Sequence, residues 1–138
     1  MNMLTSAERK LESIIDILED LSREVRQGVP IIVEGRKDLH ALHRLNIIGT
    51  VICIKNSGMS LPNLLDSVTN KSVIVLVDFD VGGKTLVKII STYLERMGVK
   101  VNLIFWRRIK ALLKRDVKDI EGIPSYLETF KNRVERPR

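Results

Sequence analysis

Four short runs of uninterrupted apolar residues, Ile31–Val33, Val51–Ile54, Val73–Val77 and Val99–Phe105, alternate along this chain with stretches of helical period. A strand that is apolar at every position, rather than at every second one, must be covered on both faces. Parallel strands joined by crossover helices meet that demand. The expected fold class is therefore α/β: a four-stranded parallel sheet of order 2-1-3-4, flanked by helices through right-handed crossovers.

The intervening helices are expected near Asp38–Leu45, Leu61–Val68 and Lys84–Met97, the last closed by Gly98. Two more are expected near Arg108–Arg115 and Ser125–Val134. Ahead of the first run, apolar residues at 4, 7, 11, 14, 18, 21 and 25 form a helical stripe. Thr5 and Glu8 fit a capping box at its start, and Gly28 with Pro30 ends it. Ile15 and Ile17 widen the stripe beyond a coiled-coil seam, so it should dock on the domain. A homodimer contact is the alternative. The organisation expected is a helix over residues 1–28 packed on one domain over 29–138.

At 138 residues the chain suits one compact domain with a real core. Its 44% hydrophobic and 29% charged residues exclude intrinsic disorder. No apolar run approaches the roughly 18–20 residues of a membrane span, and Met1–Ser6 does not open a secretory signal. Together these point to a cytoplasmic protein with no membrane partner. The single cysteine, Cys53, excludes an internal disulfide and any multi-cysteine zinc site; within Val51–Ile54 it reads as a small hydrophobe. The net charge of +6 favours polyanions such as RNA or DNA. Much of that excess lies in the last third: Arg107, Arg108, Lys110, Lys114, Arg115, Lys131, Arg133, Arg136 and Arg138. A solvated helical surface explains the same charges.

Acidic residues stand where the first and third runs end. Glu34 follows Val33 and precedes Gly35, while Asp78 and Asp80 follow Val77 and lead into Gly82-Gly83. In an open parallel sheet, function gathers beyond the carboxyl ends of the strands at the switch point. With the order 2-1-3-4, strands one and three are neighbours roughly 4.8 Å apart. Extended-chain alternation would aim Asp78 and Asp80 to one side and Phe79 to the other. Three carboxylates, Glu34, Asp78 and Asp80, are thus expected to converge. Such a cluster repels itself unless a hard cation such as Mg²⁺, or Mn²⁺ in its place, is held among them. Asp78 and Asp80 are the expected ligands, with Glu34 a further ligand or the general acid/base. Asp38 would lie near the start of the next helix, orienting a lysine or water or favouring the helix dipole.

These two motifs, Val33-Glu34-Gly35-Arg36-Lys37-Asp38 and Asp78-Phe79-Asp80-Val81-Gly82-Gly83, resemble those of the Toprim domain. That family spans topoisomerases, bacterial-type primases, OLD-family nucleases, recombination mediators and the ribonuclease that matures 5S ribosomal RNA. The resemblance covers Val29–Phe105, in the expected order, and the compact size is similar to stand-alone small Toprim proteins of archaea. It implies magnesium held by the acidic set, a glutamate general acid/base and action on nucleic-acid phosphodiesters. No second domain surrounds Tyr93 or Tyr126 to make a topoisomerase, and one cysteine cannot build the zinc site of a full primase. The branch it resembles most is RNA maturation, nuclease-like phosphoryl transfer, with RNA, DNA or a ribosomal or RNA-processing complex as partner. A non-catalytic RNA- or ribosome-binding module is the alternative.

Candidate phosphate-binding groups are Arg36, Lys55, Lys84 and Arg107, with Arg108 beside it; Gly83 permits close approach of a phosphate or a tight turn. Lys84 stands where many Toprim proteins have another residue. Lys55-Asn56-Ser57-Gly58 and Trp106-Arg107-Arg108 are expected at strand ends on the acidic rim. Trp106 either stacks on a base or covers the sheet. His40 and His43 have helical spacing but no obvious third ligand, and Gly82-Gly83-Lys84-Thr85 lacks the earlier glycine of a Walker motif.

Overall fold

The computed structural model describes residues 3–136, so Arg138 of the basic tail lies outside the described residues. The chain runs α1 (Ser6–Arg26), β1 (Ile31–Val33), α2 (Arg36–Arg44), β2 (Val51–Cys53), α3 (Leu61–Asp66), β3 (Ser72–Val75), α4 (Val81–Arg96), β4 (Lys100–Asn102), α5 (Ile104–Leu113) and α6 (Ile123–Glu135). All strand pairs are parallel and the order is β2-β1-β3-β4, as the apolar runs require. β1 is fully buried, and Val73–Val77 in and beyond β3 are equally hidden. β2, at the sheet edge, is only half-buried, and Cys53 with it. α3 packs on α4, while α2 packs on β2. α1, α5 and α6 pack together, and α6 continues onto α2.

The capping box of α1 forms as expected. Glu8 N–H donates to Thr5 Oγ1 at 3.0 Å, and Thr5 N–H donates to Glu8 Oε1 at 3.1 Å. Thr5→Ala should lower stability by about 1 kcal/mol in a urea titration. The buried stripe is Leu11, Ile14, Ile17, Leu21 and Val25, which docks on α5 and α6. That intramolecular contact uses the face a dimer zipper would have needed. Gln27 caps the helix, and Gly28 follows with φ of 97°, the left-handed region that glycine occupies without penalty. No helix among the described residues is long and apolar enough to cross a membrane.

Two elements depart from the sequence expectation. The fourth strand stops at Asn102, not Phe105. Asn102 Oδ1 accepts the N–H of Ile104 at 2.9 Å and starts α5 there. The stretch from Leu103 to Trp106 is apolar under either period, so its own pattern could not tell strand from helix. Trp106 and Arg107 therefore lie on the first turns of α5, not at a strand end. The ladder of β3 likewise ends at Val75, and Val77–Asp80 leave the pleat.

Candidate functional site

The polar end of the sheet is assembled by backbone bonds that extend the ladder past β1. Ile54 N–H donates to Val33 O at 3.0 Å, and Lys55 N–H to Glu34 O at 2.8 Å. Glu34 is thereby fixed beside Lys55, whose Nζ stands 3.9 Å from Glu34 Oε1. On the other side, Asp78 N–H donates to Glu34 Oε2 at 2.8 Å, joining residues 44 apart in sequence. Glu34 and Asp78 thus meet across the neighbouring ends of β1 and β3, as expected.

Asp80 does not join them. Its Oδ1 accepts the N–H of Gly83 at 2.7 Å and caps α4. Alternation would place it beside Asp78 only on an extended chain, and the chain has already left the sheet at Asp78. The expected convergence of Glu34, Asp78 and Asp80 is corrected accordingly: among the described residues, no three His, Cys, Asp or Glu side chains are grouped closely enough to hold a metal ion. Asp38 and Asp119 are the further acids whose charges reach Asp78. Burial, then the charges of Glu34, Asp38 and Asp119, push the Asp78 carboxyl up from its ordinary 3.8 to about 7. Asp38 is the one charged side chain buried among the described residues. It accepts the Gly35 N–H at 3.1 Å, which closes the first turn of α2. Burial raises its carboxyl as well, the Gly35 bond opposes this, and Glu34, Asp119 and Glu121 push it further.

Asp119 is not among the sequence candidates. It belongs to the turn between α5 and α6, where its Oδ1 accepts the Gly122 N–H at 2.8 Å. The turn returns to the rim because Phe79 N–H donates to Lys118 O at 2.8 Å. Asn56 lies in the Lys55–Gly58 stretch expected on this rim, though without a role of its own there; its Oδ1 accepts the Arg36 N–H at 3.1 Å at the start of α2. The placement of Asp119 has no local sequence signal, because the contact that sets it is distant in the chain.

The phosphate candidates separate. Lys55 is on the acidic rim with its side chain 70% exposed, and Arg36 is exposed at the head of α2. Lys84 is exposed one residue after Gly83, and Arg107 is exposed on α5. Arg108 is engaged elsewhere, 3.3 Å from the Asp20 carboxylate of α1. Gly83 does not face a ligand. A Cβ there would lie 1.8 Å from Asp78 O, and its N–H is already accepted by Asp80. Its absent side chain lets α4 close on the end of β3, the tight-turn alternative. Trp106 covers the sheet, its indole N–H donating to Val77 O at 2.9 Å. His40 and His43 are exposed on α2.

The donors at this corner are carboxylate oxygens, the type that hard cations take. Two oxygen-only carboxylates in a half-dry corner, with further acids behind them, repel one another until a cation arrives. Magnesium is commonly held by one or two carboxylates and keeps its remaining positions for water and phosphate. Glu34 and Asp78 are the two carboxylate residues that meet here.

No family model matches the chain. It is 37% identical over 108 residues to a UPF0292 protein of Thermoplasma volcanium, covering 77% of this chain and 88% of that one. It is 34% identical over 119 residues to a UPF0292 protein of Methanocaldococcus jannaschii, covering 84% and 91% respectively. A solved structure of a protein from Aquifex aeolicus superimposes with a TM-score of 0.64 at 28% identity, over 78% of this chain and 94% of that one.

Proposed function

The chain belongs to the UPF0292 family, and we propose that its acidic rim is a Toprim-type, magnesium-dependent site acting on nucleic-acid phosphodiesters in the cytoplasm, with RNA processing the nearest branch. The observation that carries this reading is the bond between Glu34 and the Asp78 backbone, which sets two carboxylates side by side at the switch point of the sheet. Asp78 and Glu34 would hold the cation. When bound, magnesium supplies Lewis-acid polarisation of a phosphoryl oxygen.

The remaining work belongs to the chain's own groups. Glu34 Oε1 is turned toward Lys55 rather than toward a backbone donor, so it is available to take or return a proton at the attacking or leaving oxygen. Lys55 Nζ, mostly exposed, can hold a phosphate oxygen against that carboxylate. Phe79, next to Asp78 in the chain, and Trp106, bonded to Val77 O, are both buried. Purified protein with Mg²⁺ or Mn²⁺ should cleave or join a phosphodiester in a panel of structured RNAs and DNAs. Asp78→Ala should reduce that activity by at least about 100-fold with the fold intact by circular dichroism. A panel without turnover in either metal contradicts the enzymatic reading.

One observation favours a second reading. Asp80 is spent on capping α4, which leaves two close carboxylates instead of three. A non-catalytic module that binds RNA or a ribosomal particle needs no more than that. Tight binding without turnover, lost on substitution of rim cations such as Lys55→Ala, is the result it expects.

A further inference from the structure

Beside the acids lies a group of cations that the site as described does not use. The indole N–H of Trp106 pins the start of α5 to Val77 O, one residue before Asp78. Lys110, one turn further along, lies with Nζ 4.6 Å over the Trp106 ring. Lys114 follows on the same helical face. From the other side comes Lys84, whose N–H donates to Asp80 O at 3.0 Å on the first turn of α4. Lys84 and Lys114 are close enough to Lys110 that both, after burial, hold its ammonium below the usual lysine range. None of the three is within 4 Å of a carboxylate among the described residues, whereas Lys10, Lys37, Arg44, Lys55 and Arg108 all are.

Three ammonium groups gathered without an acid repel one another, and an anion relieves that repulsion. Lys110 and Lys114 stand one turn apart on α5 and Lys84 comes in from α4, so the charges are spread over two elements, which suits linked phosphates better than one. The aromatic ring beneath Lys110 holds its ammonium on the surface instead of letting it fold away. We propose that Lys84, Lys110 and Lys114 form a phosphate-holding tract, which grips a polynucleotide strand in preference to a free nucleotide and leads it toward Glu34 and Asp78. The direction of that lead rests on the phosphodiester reading given above; the binding itself does not.

The test is fluorescence anisotropy of the full chain with fluorescein-labelled single-stranded RNA and DNA of roughly 20 nucleotides, in EDTA, between about 50 and 300 mM salt. The triple variant Lys84→Gln, Lys110→Gln, Lys114→Gln should bind at least about 10-fold more weakly, and its slope of log affinity against log salt should fall by about 2. A charge-matched control, Lys71→Gln with Arg96→Gln and Lys100→Gln, changes exposed cations around the opposite end of the sheet and should stay within about 3-fold of wild type. Equal loss in the control, an unchanged triple variant, or a mononucleotide that competes at the strand's own concentration overturns the tract. Asp78→Asn separates the two readings. If it abolishes cleavage while the triple variant binds normally, the tract fails and the acid site stands. If the triple variant loses binding but no form of the protein cleaves, the tract stands alone.

Discussion

Gly83→Ala is expected to destabilise the protein by about 3 kcal/mol, a fall of roughly 10 °C in melting temperature for a chain of this size. The added Cβ would sit 1.8 Å from Asp78 O and 2.7 Å from the Asp78 carbonyl carbon. Both are backbone atoms at the end of a fully buried run, so neither can yield as the tip of a side chain would. Relief requires α4 to shift away from β3, which breaks the Gly83 bond to Asp80 and loosens the packing of Val87 and Ile90. Gly82→Ala supplies the contrast. Its nearest neighbour would be Asp80 Oδ1 at 3.4 Å, an ordinary contact, and alanine is the better helix former. That variant should melt within about 2 °C of wild type, or above it. Equal melting temperatures for the two variants would show that α4 does not close on the strand as described.

The second large effect is on Asp78, where stability and function should move in opposite directions. Its carboxyl is raised from 3.8 to about 7 in the folded protein, so between those values the native state binds more protons than the unfolded chain. Stability therefore falls as pH rises through that interval, and the contribution present below about pH 4 is gone above about pH 7. An asparagine side chain in its place would carry no charge to desolvate. Asp78→Asn should match wild type near pH 4 and exceed it by about 1–2 kcal/mol at pH 8, after allowance for solvent screening at this half-exposed site. Magnesium should reverse the order by stabilising only the wild type. A variant less stable than wild type at pH 8 in EDTA would mean that the carboxylate is structurally favourable there.

What can be read in the sequence follows a physical division. Continuous apolar runs at Ile31–Val33 and Val73–Val77 specify strands buried on both faces, and that alone yields a parallel sheet with helices around it. The meeting of Glu34 with Asp78 is legible for the same reason, since each stands just past a run whose neighbour the topology supplies. Asp80 is not, because the rule of alternation holds only while the strand lasts, and the strand ends at Val75. The sequence offers Arg108 as a phosphate group because its partner, Asp20, belongs to a helix 88 residues upstream. Asp119 reaches the site through a loop tied to the end of the third strand by the backbone bond from Phe79 to Lys118. No local pattern encodes such a contact. Gly83 is recognisable as a glycine needed for close approach, but only the packing shows that the approaching group is the chain itself.

Isothermal titration of Mg²⁺ into wild type and Asp78→Asn at about pH 7 weighs the pairing of Glu34 with Asp78 against one observable. Saturable uptake by the wild type is expected, with heat that depends on the buffer because the ion displaces protons shared by the raised carboxyl. Asp78→Asn should show neither. Uptake that survives the substitution, or no uptake by either protein, would contradict a cation held between the ends of these two strands.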